Sequence, residues 1–364
     1  MNVNSELSIR SLTVRAVNVP MRRPLKTGGG EVGTAAIVLI DLGTEEGITG
    51  RSYLFCPTPV VLEPVARLLL NLVPMIEGEL LSPVAIERKL QMAFRLLGPQ
   101  GLAGMAMAGI DMAAWDALAK SCEMPLLRLL GGEPREIPAY NSCGLGMIGG
   151  ERAAQEAQEL LRPGFSALKV RLGYPELKTD VEVVRAVKGA AGEDVVLMSD
   201  YNQSLSVAEA GIRAAALDDE GLYWIEEPTR ADDYSGHAHI RREAETPIQI
   251  GENWWGAHDM TKSVEADASD YAMVDAMKIG GVTGWLRAAA LAESAGLPLS
   301  SHLFPEISAH LLAVSPTSHW LEYVDWADPI LEEPLKVEDG YAYISDVPGI
   351  GLSWDEGAVQ RYSV

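Results

Sequence analysis

The alternation of apolar and polar positions divides the chain into two parts that meet near residue 138. In the first part, residues 8 to 20 and 35 to 55 alternate and carry many β-branched side chains, which predicts an antiparallel meander. The segment between them, residues 21 to 33, holds three consecutive glycines beside cationic side chains. This composition is typical of a mobile loop, and an ordinary hairpin connection fits it equally well.

Residues 58 to 130 have the apolar spacing of helices. The stretch from residue 101 to 120 is rich in Gly, Ala and Met, which predicts a helix packed tightly against its neighbours. Its methionines indicate core packing rather than a cofactor site, because Met fills irregular gaps between apolar side chains.

In the second part, short apolar runs alternate with amphipathic segments. Helical patterns cover 180–190, 207–217 and 284–296, and they separate candidate strands at 167–172, 195–201, 223–226, 247–252, 271–277, 297–303 and 319–323. Repeated strand–helix units indicate a parallel sheet, and seven or eight of them indicate a closed β/α barrel.

The tail from about residue 327 contains a strand-like run at 341–346, and we expect it to return to the N-terminal meander. The predicted organisation is therefore an α/β chain with three segments. Residues 1–135 form an α+β domain, residues 136–326 form the barrel, and residues 327–364 form a segment that returns to the first domain.

Length and charge narrow the functional classes. A chain of 364 residues with 48% apolar positions can bury a large core in more than one domain. A formal net charge of -22 argues against a nucleic-acid surface, which requires clustered Lys and Arg. An anionic substrate would need local positive charge in its site, and a metal ion with a few cations could supply it.

Compartment and covalent chemistry are also constrained. Cys56, Cys122 and Cys143 are too few and too scattered for a disulfide framework or a cysteine-type zinc site. The first ten residues lack the apolar core of a signal peptide, and aliphatic runs such as 35–40 are too short to span a bilayer. We therefore expect a cytoplasmic protein with no membrane partner.

Acidic side chains recur where the predicted barrel strands end. Asp200, Glu226 and Glu252 follow three successive strands at intervals of 26 and 26 residues. Because the ends of successive strands meet at one mouth of a barrel, these carboxylates should converge. One such carboxylate alone would more often be a helix cap or a surface charge. Three in register indicate a site for a hard divalent cation, for which Mg²⁺ is the best match.

The same spacing continues to both sides of this triad. Asp275, His302 and Glu322 follow at intervals of 23, 27 and 20 residues. A lone His is usually a core or surface residue, but an Asp partner at the preceding strand end fixes the tautomer and suits a general base. Lys169 and Arg171 lie two residues apart and share one strand face, so both can point into the site rather than outward as surface cations.

These groups together fit one chemical task. The α-proton of a carboxylate is weakly acidic, and its removal produces a dianionic enediolate. A divalent metal and an ammonium group can stabilise that charge, while an opposing acid donates a hydrogen bond. A Lys or His base with Mg²⁺ is the arrangement known from enolase-type sites.

At these residues the chain resembles the enolase superfamily, and within it the mandelate racemase/muconate lactonizing enzyme family, most closely its mandelate racemase branch. The likeness extends over nearly the whole chain, and its most specific motifs are VRAVNVP, GIDMAAWDAL, SDYNQSL, WIEEPT, GENW, DAMKIGGVTGW, SSHLFPEISAHLL and HWLE. The resemblance implies a modified TIM-type β/α barrel under an α+β capping domain.

The resemblance also implies roles for individual residues. Asp200, Glu226 and Glu252 would bind Mg²⁺, with Mn²⁺ as a possible substitute, and His302 paired with Asp275 would be the base. Lys169 would contact the substrate carboxylate, and Glu322 would act as an electrophilic acid. Residues 21–33 would form a flap over the pocket. The secondary substrate contacts would be Ser142, Asn202, and the flap residues Leu25 and Val32. Members of the superfamily commonly assemble as dimers to octamers, so a homo-oligomer that binds a small carboxylate is expected.

Two departures from the resemblance affect the choice of reaction. Arg171 stands where mandelate racemase has the second Lys of a Lys-x-Lys motif, and Pro57 and Gly29 replace a pocket Tyr and a flap Val. The chain-wide likeness favours a racemase or epimerase of a 2-hydroxycarboxylate, and this is the reaction that we expect from the sequence. Arg171 favours an acid-sugar dehydratase that uses the His302–Asp275 pair, with Arg171 as an electrostatic contact. A non-catalytic sugar-acid binding protein is a third alternative.

Overall fold

The N-terminal part is an antiparallel meander with helices on it. The computed structural model describes residues 7–364, so residues 1–6, part of the segment predicted to lack a signal-peptide core, lie outside it. The meander consists of β1 (Ile9–Thr27), β2 (Gly30–Thr44) and β3 (Thr49–Cys56), paired in the order β1-β2-β3. Its central run from residue 35 to 40 is wholly buried, because both faces of the sheet are covered.

The predicted loop at residues 21 to 33 is instead an ordered hairpin. Strand β1 continues to Thr27 and β2 begins at Gly30, with the pairs Leu25–Val32 and Lys26–Glu31 in register. A register shift between Pro20 and Leu25 separates this hairpin from the main sheet. Of the two alternatives for this segment, the structure shows the hairpin connection, in which cross-strand pairs form despite the glycines.

Four helices complete this part of the chain, α1 (Leu62–Ile76), α2 (Pro83–Ala93), α3 (Gly101–Ser121) and α4 (Leu126–Leu129). Helix α3 is buried on nearly all sides, as its composition predicts. Its small residues allow direct backbone contact, because a Cβ on Gly50 of β3 would lie 2.0 Å from the Ala113 carbonyl oxygen. By length and apolarity α3 and the stretch Pro59–Ile76 could each cross a membrane, but 83% of the α3 window is buried in the core.

The second part is the predicted barrel, with one strand more than the sequence pattern shows. Its eight parallel strands are β4 (Ile137–Asn141), β5 (Ala167–Arg171), β6 (Val196–Asp200), β7 (Ile225–Glu226), β8 (Ile248–Ile250), β9 (Tyr271–Asp275), β10 (Leu299–His302) and β11 (Leu321–Tyr323). Strand β11 pairs with β4, and backbone hydrogen bonds from Ser301 N to Trp320 O (3.0 Å) and from His319 N to Leu299 O (2.8 Å) join β10 to the segment that enters β11. The strands thus close on themselves, and the expected barrel is confirmed.

Helices follow the first seven barrel strands and surround them. They are α5 (Gly150–Leu161), α6 (Leu177–Ala191), α7 (Val207–Leu217), α8 (Tyr234–Glu243), α9 (Ala257–Glu265), α10 (Gly281–Ala295) and α11 (Pro305–Ala313). Short 3₁₀ turns occur at Pro59–Val61, Asp218–Glu220 and Asp328–Ile330. The barrel interior is filled by apolar side chains, among them Tyr140, Ala167, Met198, Trp224 and Met273.

The tail contacts both parts. Strands β12 (Lys336–Glu338) and β13 (Tyr341–Tyr343) form a hairpin, and β13 pairs with β4 of the barrel rather than with the meander. After α12 (Glu356–Tyr362), the chain reaches β1, where Val364 N donates to Ala16 O at 3.2 Å. The segment limits at residues 135/136 and 326/327 stay predictions.

Candidate active site

The three predicted metal ligands meet at the carboxyl ends of neighbouring strands. Asp200 ends β6, Glu226 ends β7, and Glu252 follows β8, so the parallel ladder places them side by side. One carboxylate oxygen from each lies within 4.8 Å of the others. All three are buried, and burial followed by mutual repulsion raises the pKa values of Asp200 and Glu226.

Lys169 of β5 lies against this triad. Its Nζ is 2.6 Å from Glu226 Oε1, 2.8 Å from Glu322 Oε1 and 3.6 Å from Asp200 Oδ2. Burial by itself lowers the pKa of Lys169, but the surrounding carboxylates outweigh burial and raise it above the ordinary value. The ammonium group is therefore a fixed positive charge in the site.

His302 and Asp275 form the predicted pair. His302 Nδ1 is 2.7 Å from Asp275 Oδ2, and the other Asp275 oxygen accepts from the backbone N–H groups of Met277 and Lys278. With Nδ1–H directed at Asp275, Nε2 faces the site, 3.4 Å from Glu252 Oε2. Burial lowers the pKa of His302, but Glu252, Glu322 and Asp275 reverse this and raise it to about 9.

Arg171 directs three guanidinium hydrogen bonds to the segment that follows β4. Nη1 donates to the carbonyl oxygens of Ser142 (3.1 Å) and Gly144 (2.9 Å), and Nη2 donates to Ser142 Oγ at 2.7 Å. Nε lies 3.9 Å from Asp200 Oδ2 and has no hydrogen-bond partner. The guanidinium group thus lies between the segment after β4 and Asp200 at the end of β6.

Glu322 completes the ring of charges. It accepts from Ser142 Oγ at 2.7 Å and from Leu303 N at 2.9 Å. Burial raises the pKa of Glu322, but Lys169, His302 and Arg171 more than offset it and hold this pKa well below its ordinary value. Glu322 is therefore ionised in the absence of a substrate.

The predicted substrate contacts differ in position. Asn202 adopts a left-handed φ of 46° and donates to both oxygens of Asp200, so it orients a triad carboxylate. Leu25 is buried and Val32 is half-buried in the hairpin. The hairpin does reach the barrel mouth, because Met147 N donates to Lys26 O at 2.7 Å.

Sequence reasoning missed a second layer of residues. Trp224 Nε1 donates to Glu226 Oε2 at 3.0 Å. The Asn253 amide donates to Glu227 at 2.8 Å and to Glu252 at 3.2 Å, while its oxygen accepts from Lys278 Nζ at 2.6 Å. The adjacency of Glu227 to Glu226 in the WIEEPT motif, and of Asn253 to Glu252 in GENW, was the available signal.

The donor set fits a divalent cation. Among the described residues, the site brings Lys169, Arg171 and His302 together with five carboxylates, which are Asp200, Glu226, Glu252, Asp275 and Glu322. Hard carboxylate oxygens without sulfur or further imidazole ligands match Mg²⁺. A bound dication would remove the repulsion that raises the pKa values of Asp200 and Glu226.

Comparison with known proteins agrees with this geometry. Residues 152–358 match the family described as "Enolase C-terminal domain-like". Residues 9–131 match "Mandelate racemase / muconate lactonizing enzyme, N-terminal domain".

Solved structures with the same architecture include two that are more than 40% identical. An enolase from the alpha proteobacterium bal199 with bound Mg is 42% identical, with a TM-score of 0.97 over 98% of this chain and 100% of that chain. A Bradyrhizobium enolase complexed with magnesium and mandelic acid is 44% identical, with a TM-score of 0.94 over all of both chains.

Among curated proteins, the L-talarate/galactarate dehydratase of Salmonella typhimurium is 32% identical over 275 residues, which cover 75% of this chain and 69% of that protein. The two domain matches together span most of the chain. The chain belongs to the mandelate racemase/muconate lactonizing enzyme family of the enolase superfamily, whose members are Mg²⁺-dependent enzymes.

Proposed function

We propose that this chain is a Mg²⁺-dependent acid-sugar dehydratase. In this proposal His302 removes the α-proton of a 2-hydroxycarboxylate, and the β-hydroxyl group then leaves as water. This reaction occurs in the superfamily, and it needs a base on only one face of the substrate.

The observation that carries the proposal is the position of Arg171. Racemisation by two bases needs a neutral acceptor on each face of the α-carbon. Arg171 donates three hydrogen bonds to Ser142 and Gly144 in its protonated form, and guanidinium has an ordinary pKa of about 12.5 or higher, so it is a poor proton acceptor. A dehydration needs only His302, because the same imidazole can accept the α-proton and return it to the leaving hydroxyl.

Each residue has a defined task in this reaction. His302 Nε2 takes the α-proton, and Asp275 holds the imidazole in the required tautomer and stabilises its positive charge. Lys169 places an ammonium group where the substrate carboxylate gains negative charge. When bound to Asp200, Glu226 and Glu252, Mg²⁺ supplies Lewis-acid stabilisation of that charge.

The second half of the reaction balances the protons. The imidazolium of His302 donates its proton to the β-hydroxyl oxygen, the C–O bond breaks, and one water molecule leaves. His302 is then neutral again. The remaining enol tautomerises to a 2-keto-3-deoxy acid, because its 2-hydroxyl oxygen loses its proton to solvent while the β-carbon gains one. The 32% identity to a talarate/galactarate dehydratase supports an acid sugar as the substrate class.

A racemase is the second candidate. The 44% identical Bradyrhizobium structure holds mandelic acid, which has no β-hydroxyl group to lose. In that case Arg171 would have to act as a base after losing a proton to Asp200 or solvent. The homo-oligomeric state, the use of Mn²⁺ and the cytoplasmic location stay predictions.

A substrate panel tests the proposal. The protein with Mg²⁺ is incubated with mono- and diacid sugars and with aryl hydroxyacids, and 2-keto-3-deoxy products are detected as semicarbazones. We expect product from at least one acid sugar and none with His302→Asn. Racemisation of an aryl hydroxyacid without any keto product would instead support the second candidate.

A further inference from the structure

A cavity outside the carboxylate site lies between the two parts of the chain. It has a volume of about 350 Å³ and is enclosed by α2 and α3 on one side and by the starts of α9 and α10 on the other. Met107 and Trp255 provide apolar walls, and the residues that line the cavity include neither the carboxylate triad nor the His302–Asp275 pair. This volume is in the range that holds a small organic molecule.

The charged residues of this cavity are mainly cationic. Arg88, Lys278 and Arg287 line it with a single carboxylate, Glu87. Arg287 occupies both oxygens of Glu87 through a two-pronged ion pair, with Nη2 2.7 Å from Oε2. Within residues 7–364 no carboxylate pairs with Arg88. The cavity therefore carries an excess of cations, although the net charge of the chain is -22.

Lys278 connects this cavity to the carboxylate site. Its Nζ donates to Asn253 Oδ1 at 2.6 Å and retains further N–H donors. The Asn253 amide in turn donates to Glu252 at 3.2 Å. A ligand that accepts a hydrogen bond from Lys278 would therefore weaken the contact that holds Asn253 beside Glu252, a proposed metal ligand.

We propose that this cavity binds a small organic monoanion with an apolar or aromatic body, and that its occupation weakens Mg²⁺ binding through Lys278 and Asn253. The carboxylate of the ligand contacts Arg88 and Lys278, and its apolar body packs between Met107 and Trp255. The binding of the anion in the cavity is independent of the proposed reaction. Its effect on Mg²⁺ affinity rests on the proposed function, in which Glu252 is a metal ligand.

Calorimetric titration with 4-bromobenzoate tests the site. Arg88→Glu removes a cation at the exposed rim and should weaken binding by about tenfold or more, the worth of one charge-assisted hydrogen bond. Met107→Trp fills the cavity and should have a similar effect, with its fold checked by circular dichroism. The matched control Arg67→Glu, on the exposed face of α1, makes the same charge change elsewhere and should leave the affinity unchanged.

The variant Lys169→Met tests whether the probe binds in the carboxylate site instead of the cavity. It should leave the affinity for the probe unchanged. Binding that is lost in Lys169→Met but kept in Arg88→Glu would overturn the proposal, since the probe would then occupy the carboxylate site. A crystal soaked with the probe should show the bromine anomalous peak beside Met107, and its absence there would also contradict the site.

The coupling is measured as the Kd of Mg²⁺ with and without saturating 4-bromobenzoate. We expect a weaker Mg²⁺ affinity with the probe, and no such change in Lys278→Met, which breaks the link without touching the triad. An unchanged Mg²⁺ affinity beside confirmed probe binding would overturn the coupling. Failure of the enzyme to turn over any acid sugar would affect neither titration, so this result is separable from the proposed function.

Discussion

Arg171 is joined to Glu322 through the side chain of Ser142. Arg171 Nη2 donates to Ser142 Oγ at 2.7 Å, and Ser142 Oγ donates to Glu322 Oε1 at 2.7 Å. All three side chains are buried. Under the proposed function, this arrangement lets Arg171 orient a carboxylate near His302, and Arg171 does not act as a base itself.

Ser142→Ala should interrupt this link. The loss of a buried hydrogen bond to a charged group costs about 1.5–3 kcal/mol, so kcat should fall by about tenfold or more while Mg²⁺ binding is kept. Ser315→Ala is the control, because Ser315 is equally buried but bonds Trp285 and Leu311. If both variants lose the same activity, the effect comes from general destabilisation and the role of Ser142 is refuted.

The hairpin that covers the barrel mouth makes a second prediction. A Cβ on Gly28 would lie 2.5 Å from Ser204 Cβ and 3.1 Å from the Tyr201 carbonyl oxygen, in the loop that follows Asp200. Gly28→Val should therefore push the hairpin off this loop and raise KM. At Gly29 a Cβ would meet only Thr27 Oγ1, at 3.6 Å, so Gly29→Val is the matched control. Equal KM values for the two variants would show that the hairpin does not close over the substrate.

Metal binding should stabilise the fold. An ion that binds only the native state adds about 2.7 kcal/mol at a hundredfold excess over its Kd, so Mg²⁺ should raise the melting temperature and EDTA should reverse the rise. Glu252→Gln should lose both this shift and turnover, whereas Glu265→Gln, at an exposed position of α9, should retain both. Full activity after exhaustive chelation would contradict the metal assignment.

The pH dependence of stability has an identifiable source in His310. Burial lowers its pKa from 6.5 to about 4. In the fold, His310 Nδ1 accepts a hydrogen bond from Leu127 N, and Nε2 lies 3.3 Å from Ile350 O. Nδ1 therefore cannot take up a second proton without losing its hydrogen bond. The unfolded chain binds that proton below pH 6.5 and the native chain does not, so stability is full above pH 6.5 and is lost as the pH falls towards 4.

His310→Gln can keep both contacts without titrating. Denaturant titrations at pH 7.5 and 4.5 should show a smaller loss of unfolding free energy for the variant than for the parent chain, by about 2 kcal/mol. An identical loss in the two proteins would mean that other titratable groups, among them His319, determine the acid sensitivity.

The sequence predicts most of the framework because barrel periodicity is local. Spacing alone brings Asp200, Glu226 and Glu252 to one end of neighbouring strands, and the barrel and the family are confirmed. Strand β4 was not among the candidate strands, since Ile137–Asn141 is short and follows a Pro-containing connection.

Other features depend on contacts between distant parts of the chain. The ordered hairpin results from pairing across Gly28 and Gly29 and from contacts with the loop after β6, which no local pattern reveals. The position of Arg171 follows from two carbonyl groups after β4. Strand alternation shows that Arg171 points inward, but it does not show that three of its N–H groups donate to Ser142 and Gly144.

The most direct test of the account is α-proton exchange in D₂O. Proton NMR follows the α-position of each acid sugar and of both mandelate enantiomers, with Mg²⁺ present. We predict exchange for only one α-configuration, its loss in His302→Asn, and partial retention in Arg171→Met. Arg171→Lys should increase the exchange of the opposite configuration. Equal exchange of both configurations by the parent protein would contradict the single-base account, and no exchange with any compound would favour a non-catalytic sugar-acid binding protein.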